Sequence, residues 1–177
     1  ATGAVTILVG GVPACGPVAL GPAGSASCPA GPLPVGDHAL AASYSGDSNY
    51  LAADGAGLQD VDRALTGITL SASAAAAVFG EPVTLTATVT PVAPGAGLPT
   101  GPVEFFDTGG SIGLADLDPV SGVAVLVTNA LAVGDRALTA AYAGDPSFEG
   151  SLSGDPVGLT VAPAAAAVLM STSADPA

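Results

Sequence analysis

The sequence predicts an all-β chain built from antiparallel β-sandwiches in tandem, and three observations carry that expectation. Apolar and polar residues alternate in the clearest stretch, where Val83, Leu85, Ala87 and Val89 are interleaved with Thr84, Thr86, Thr88 and Thr90. Successive strand side chains point to opposite faces, so this pattern describes a strand with one face on a core and the other in water. Gly and Pro account for 25 and 16 of the 177 residues and cut the chain into short elements, which argues against long helices. Finally, the stretch Val35-Gly36-Asp37-His38-Ala39-Leu40-Ala41-Ala42-Ser43-Tyr44-Ser45-Gly46-Asp47 returns 98 residues later as Val133-Gly134-Asp135-Arg136-Ala137-Leu138-Thr139-Ala140-Ala141-Tyr142-Ala143-Gly144-Asp145.

The correspondence runs without a gap from Gly3 against Gly101, through Val5 against Val103, Gly11 against Gly109 and Leu33 against Leu131, to Tyr50 against Phe148. Two copies of one module are implied. They are unequal: Thr66 to Pro99, with two strand-like runs, precedes the second copy, and the first copy has no counterpart to it ahead of Gly3. Val168-Leu169-Met170-Ser171-Thr172-Ser173-Ala174 resembles Ile68-Thr69-Leu70-Ser71-Ala72-Ser73-Ala74, as if a further copy were opening. The expected organisation is residues 1–62 as a module lacking its first two strands, 63–162 as a complete module, and 163–177 as the start of another module or a donor strand.

Within the complete copy the strands are expected at about 67–73, 83–89, 102–107, 111–117, 122–129, 136–143 and 157–162. Pro82 and Pro91 bracket the second of these, and turn residues separate the others: Pro94-Gly95, Gly109-Gly110, Ser121-Gly122 and Gly144-Asp145-Pro146. About seven short strands in roughly a hundred residues is the spacing of a sandwich. The run Ala74 to Ala77 is made of good helix formers, but four residues are too few to hold a helix in water, so it is expected to be loop. The inward positions predict a core of Val83, Leu85, Val89, Phe105, Leu138 and Tyr142, with Leu40 and Tyr44 in the first copy. Phe105 and Phe106 are adjacent, so one of them should face outward.

The charge balance narrows function. Two Lys+Arg, both Arg, stand against 15 Asp+Glu, a formal net charge of -13. Nucleic-acid phosphates and anionic headgroups are bound by clustered basic residues, so neither partner is expected. Interruptions by Gly, Pro, Ser, Thr or Asp leave no apolar run of about 18 residues, and no membrane insertion is expected in this segment. With 49% hydrophobic and only 10% charged residues the composition is that of a folding chain.

The order Glu81-Pro82-Val83-Thr84-Leu85-Thr86-Ala87-Thr88-Val89, then Pro99-Thr100-Gly101-Pro102-Val103-Glu104-Phe105, then Val133 to Phe148, resembles the bacterial Ig-like repeats found in tandem in large secreted and cell-surface proteins. The most specific stretch, V-G-D-x-A-L-x-A-x-Y-x-G-D, occurs twice. The resemblance implies tandem Ig-like antiparallel sandwiches of about seven strands, the first N-terminally truncated, in a stalk, spacer or adhesive role; it carries over no catalytic residue.

Candidate sites are few. Cys15 and Cys28 match Gly113 and Leu126 and are expected on neighbouring strands, with Gly21-Pro22-Ala23-Gly24 as the turn between them. Cross-strand Cβ spacing makes a disulfide plausible, and the pair lacks the C-x-x-C spacing or extra ligands of a redox or metal site. A structural bridge points to an oxidising, extracellular or cell-surface compartment. His38 is the only imidazole, but Arg136 occupies its place in the repeat, so a surface role is favoured over acid–base work. Asp47 and Asp145 follow Gly in repeated turns and are expected to cap the turn backbone. Asp60 and Asp62, at the junction, are the weak candidates for a stiffening Ca²⁺, without a dense run of oxygen ligands. Tyr44 and Tyr142 either form a ligand platform or fill the core, resembling the tyrosine corner of Ig-like folds.

No phosphate loop, nucleophile elbow or zinc-helix motif is present, and no Asn lies in a glycosylation triplet. With no Lys, no Lys–Asn isopeptide cross-link is available. A structural segment is therefore expected, with neighbouring repeats as partners and a non-enzymatic role. Two alternatives stand beside it: identical subunits linked by strand donation through Val168, Leu169 and Met170, or an adhesive module that binds a glycan or host receptor through exposed turns.

Overall fold

The computed structural model describes residues 1–108 and 110–171, and the chain divides into two compact units, Ala1–Arg63 and Ala64–Ala177. No helix is present among the described residues.

The first unit is one antiparallel sheet of four strands: β1 (Ala4–Val9), β2 (Val12–Ala19), β3 (Gly36–Tyr44) and β4 (Ala53–Val61), in the order β2-β1-β3-β4. Gly10 and Gly11 make the two-residue turn between β1 and β2 at φ of +57° and +80°, a left-handed pair that a Cβ would disfavour. Pro13 and Pro17 fall in β2, an edge strand, where a missing N–H leaves no central ladder broken. At the other edge β4 is exposed over every residue but Val61.

Two expectations fail in this unit. Leu40 and Tyr44 are half-buried rather than core, because their sheet face has no second sheet over it among the described residues. Cys28 is not on a strand: Gly21 to Val35 contains no strand at all. The reason lies in the other unit, where the matching strand holds its shape through a partner that residues 1–63 do not supply.

Among its described residues the second unit has nine strands: β5 (Thr66–Ala72), β6 (Ala76–Val78), β7 (Val83–Pro91), β8 (Pro102–Asp107), β9 (Gly110–Asp116), β10 (Val123–Thr128), β11 (Gly134–Gly144), β12 (Glu149–Leu152) and β13 (Val157–Ala162). One sheet has the order β10-β7-β5; the other runs β6-β13-β11-β8-β9, with β12 paired onto β11. The inner residues of β7 and Ile68 of β5 meet Val103, Phe105, Leu138, Ala140 and Tyr142 from the opposite sheet, closing one apolar core. Val83, Leu85, Val89, Phe105, Leu138 and Tyr142 are all at most 2% exposed. Phe106, the outward neighbour of Phe105, is half-buried.

The expected loop at Ala74 to Ala77 is corrected. Ala76–Val78 forms β6, in parallel register with Thr160–Ala162 of β13, and Ala77 is buried. Thr160 donates to the Ala75 carbonyl and Phe79 to that of Ala162, so ladder bonds override the local helix propensity of a run too short to use it. β12 was not anticipated either. Between Leu152 opposite Ala141 and Val157 opposite Leu138, four residues face two, a bulge that Ser153 closes: its amide donates to the Ala140 carbonyl and its hydroxyl accepts the Ala140 N–H at 2.9 Å. In the first unit the ladder from Gly36 against Val61 to Tyr44 against Ala53 runs unbroken, so β4 covers the ground of both β12 and β13. Gly109, the first glycine of the expected Gly109-Gly110 turn, lies outside the described residues, as do Thr172, Ser173 and Ala174.

Candidate interaction surface

The two units present the same sheet face in different states. In the first, β1 and β3 align Val5 with Tyr44, Ile7 with Ala42 and Val9 with Leu40, and β4 places Gly55 beside Ala42 and Gly57 beside Leu40. The two glycines carry no side chain into the row, and a shallow groove of about 380 Å³ opens there, lined in part by Ile7, Leu40, Ala42, Gly55 and Gly57. The lining is mostly apolar, a feature of surfaces that bind other protein surfaces.

A hydrogen-bonded latch closes the end of this face identically in both units. In the second, Asp145 follows β11. Its Oδ1 accepts the amides of Ser147 and Phe148 at 2.8 and 2.9 Å, and its Oδ2 accepts the amide and hydroxyl of Thr100 at 2.9 and 2.8 Å. The Tyr142 hydroxyl donates to the Thr100 carbonyl at 2.9 Å. In the first unit Asp47 accepts from Asn49, Tyr50 and Thr2, and Tyr44 donates to the Thr2 carbonyl. The turn-capping role expected of both Asp residues is therefore half of what they do. Each also reaches back 45 residues to fix the chain where it enters its sheet. The tyrosines bond 42 residues upstream, not the few residues of a tyrosine corner.

These contacts set the ionisation of the latch. Burial pulls the Asp145 carboxyl upward, but the hydrogen bonds from Thr100, Ser147 and Phe148 together outweigh it and hold the group below the ordinary carboxylate range. The Thr2 amide, followed by that of Asn49, lowers Asp47 strongly. Burial, then the Asp145 charge, pushes the Tyr142 phenol up to about 12, and Tyr44 moves in the same direction for like causes.

Cys15 in β2 and Cys28 in the strandless segment form a disulfide with Cα atoms 6.5 Å apart. His38 Nε2 donates to the Pro34 carbonyl at 2.7 Å, and Arg136 in the same place of the repeat reaches the Val133 carbonyl at 3.2 Å and Asp107 at 3.4 Å. Asp60 stands opposite Asp37 in the β3–β4 ladder, and Asp62 follows the strand, exposed. Among the described residues no three of His, Cys, Asp or Glu are grouped to hold a metal ion. Val168, Leu169 and Met170 are 88%, 96% and 89% exposed and belong to no strand. The sequence signal that could have revealed the latch is the paired recurrence of Thr2 with Asp47 and Thr100 with Asp145, each 45 residues apart.

A family model described as bacterial Ig-like domain (group 3) matches residues 70–162, just over half of the chain. Among solved structures, the chain is similar to the fibronectin(III)-like modules of CbhA from Clostridium thermocellum, at 18% identity and a TM-score of 0.44, over 92% of this chain and 79% of that one. No curated protein matches.

Proposed function

The chain belongs to the bacterial Ig-like domain family (group 3), and on that premise we propose that it is a structural repeat segment of an extracellular bacterial stalk, adhesin or fibre. The observation that carries this reading is the latch. Thr100, Tyr142 and Asp145 recur as Thr2, Tyr44 and Asp47, so what the two copies share most closely is the device that ties strand ends together, not a set of reactive side chains. Repetition of a scaffold with its fastenings intact is what a load-bearing array needs. The disulfide supports an oxidising compartment outside the cytoplasm, and the -13 charge keeps such an array soluble. Its partners on this reading are the neighbouring repeats, and its function is mechanical, not catalytic.

Intact cells that make the parent protein provide the test. External protease and a non-permeant label should reach this segment, with Cys15 and Cys28 oxidised. Recovery in the cytoplasmic fraction with both thiols reduced would sink the reading.

A further inference from the structure

In the second unit, β7 and β5 cover Val103, Phe105, Leu138, Ala140 and Tyr142, each at most 2% exposed. The matching residues of the first unit, Val5, Ile7, Leu40, Ala42 and Tyr44, are half-buried around an open groove. The twin face thus shows what chemistry fits: a strand alternating Val, Leu and Ala with Thr, flanked by a second strand of the Ile68 type.

Two further features of the first unit bear on that occupant. Ser25 to Ala30 corresponds to β10, whose ladder in the second unit is made with β7. Without a β7 the segment has no strand partner, yet the bridge from Cys28 to Cys15 holds it beside the sheet. Its one proline is placed where pairing tolerates it. Val89 donates to the Gly122 carbonyl, so antiparallel alternation puts the ladder bonds at positions 122, 124, 126 and 128. Pro29 corresponds to position 127, where the missing N–H faces away from the partner. The entry is also set. Thr2 is latched to Asp47 and Tyr44 as Thr100 is to Asp145 and Tyr142, and the residue that hands the chain from the covering sheet to Thr100 is the fully buried Pro99.

We propose that the open face of the first unit is the docking site for a two-stranded segment of the Thr66–Pro91 type, entering ahead of Thr2. Its central strand pairs with Ser25–Ala30 and turns that segment into the missing third strand of a covering sheet. A lone strand donated from Val168–Met170 does not meet this requirement. Its sequence matches β5, and β5 sits at the far edge of the order β10-β7-β5, away from the β10 position. The proposal is independent of the extracellular role, because it concerns the shape of the module and not where the protein works.

The test appends a copy of residues 64–98 directly to Ala1 of the full chain, so that Ala1 takes the place of Pro99, and follows amide hydrogen exchange. Docking slows exchange at Ala26, Cys28 and Ala30, the counterparts of the ladder positions 124, 126 and 128, at least tenfold and protects the appended strands. The same extension carrying Leu85→Asp in the added copy only should give no protection in either place. Unchanged amides from the second unit report that the fold is intact in both chains. If the unmodified extension stays unprotected while those amides hold, the proposal is overturned. It also fails if the Leu85→Asp extension protects Ala26, Cys28 and Ala30 equally.

Discussion

Cys15 and Cys28 are joined at the two positions that Gly113 and Leu126 occupy in the other unit, where the Leu126 side chain lies over the glycine so closely that an added Cβ would come within 3.1 Å of it. One module thus fastens the same point covalently and its twin by packing. The difference follows from what surrounds each pair. Leu126 sits on β10, which its ladder with β7 already holds in place; Cys28 sits on a segment with no ladder, and the bridge takes over that task.

Reduction should therefore destabilise the first unit and spare the second. The loop closed by the bridge spans 13 residues of sequence separation, for which the chain-entropy account gives about 3 kcal/mol. Denaturant unfolding of Cys28→Ser, followed by hydrogen exchange resolved to each unit, should show a loss of about 2–3 kcal/mol in residues 1–63 and none at Leu85 or Leu138. An equal loss in both units would contradict the separate roles assigned here.

Burial separates equivalent leucines just as sharply. Leu138→Ala removes a fully buried side chain from a closed core and should cost about 2–5 kcal/mol. Leu40→Ala, at the same position of the module, removes a half-exposed one from an open face that can relax around the gap, and should cost less than about 1.5 kcal/mol. Comparable losses in the two variants would mean that the face of the first unit is covered in solution.

The contrast between these leucines also shows what could be learned from sequence. The alternation around Val83 to Thr90, the repeat and the turn residues made the sandwich of the second unit legible, because each is a local pattern with a local cause. Leu40 and Tyr44 carry the same letters as Leu138 and Tyr142, yet their burial depends on a sheet contributed from far along the chain. Cys28 was misplaced for the same reason, since a strand at that position exists only where a β7 lies beside it. The three-residue β6 escaped notice because a parallel ladder to β13, not its own alanines, makes it a strand. The latch needed two distant matches to be read together, Thr2 with Asp47 and Thr100 with Asp145.

The latch makes stability sensitive to pH at both ends of the scale. Asp145 is held below the ordinary carboxylate value in the folded chain, so its contribution is fully present above the unfolded value of about 3.9 and is lost as the pH falls through the folded value. The Tyr142 phenol is raised to about 12, so its contribution is present below the unfolded value of about 10 and fades as the pH rises from there towards 12. Melting curves across pH should fall off in both windows. Asp145→Asn should flatten the acid limb, and Tyr142→Phe the alkaline limb, the latter at a cost near neutrality of about 1 kcal/mol for the lost hydrogen bond to Thr100. Limbs that survive both substitutions unchanged would assign the titration to other groups.

Asp37 faces Asp60 across the β3–β4 ladder, whereas its counterpart Asp135 faces Thr160, whose hydroxyl donates to the Asp135 carboxylate at 2.7 Å. Two carboxylates directly opposite repel, and a donor opposite a carboxylate attracts, so the first unit holds the less favourable version of the same cross-strand pair. The missing bulge explains how this arises: the register of Tyr44 against Ala53, the same as that of Tyr142 against Ser151, runs on unshifted to Asp37, where the second unit slips by two residues between β12 and β13, and so brings an acid to the place of the threonine. Asp60→Thr should recreate the arrangement of the second unit and stabilise the first by about 0.2–1 kcal/mol, with the gain largest at low ionic strength, where the repulsion it removes is least screened. Calcium bears on the same residue. Were Asp37 and Asp60 held together by a bound cation, the substitution would destabilise the unit in calcium and the gain would emerge only in EDTA; equal gains in the two buffers are expected, since no third carboxylate is grouped with the pair among the described residues.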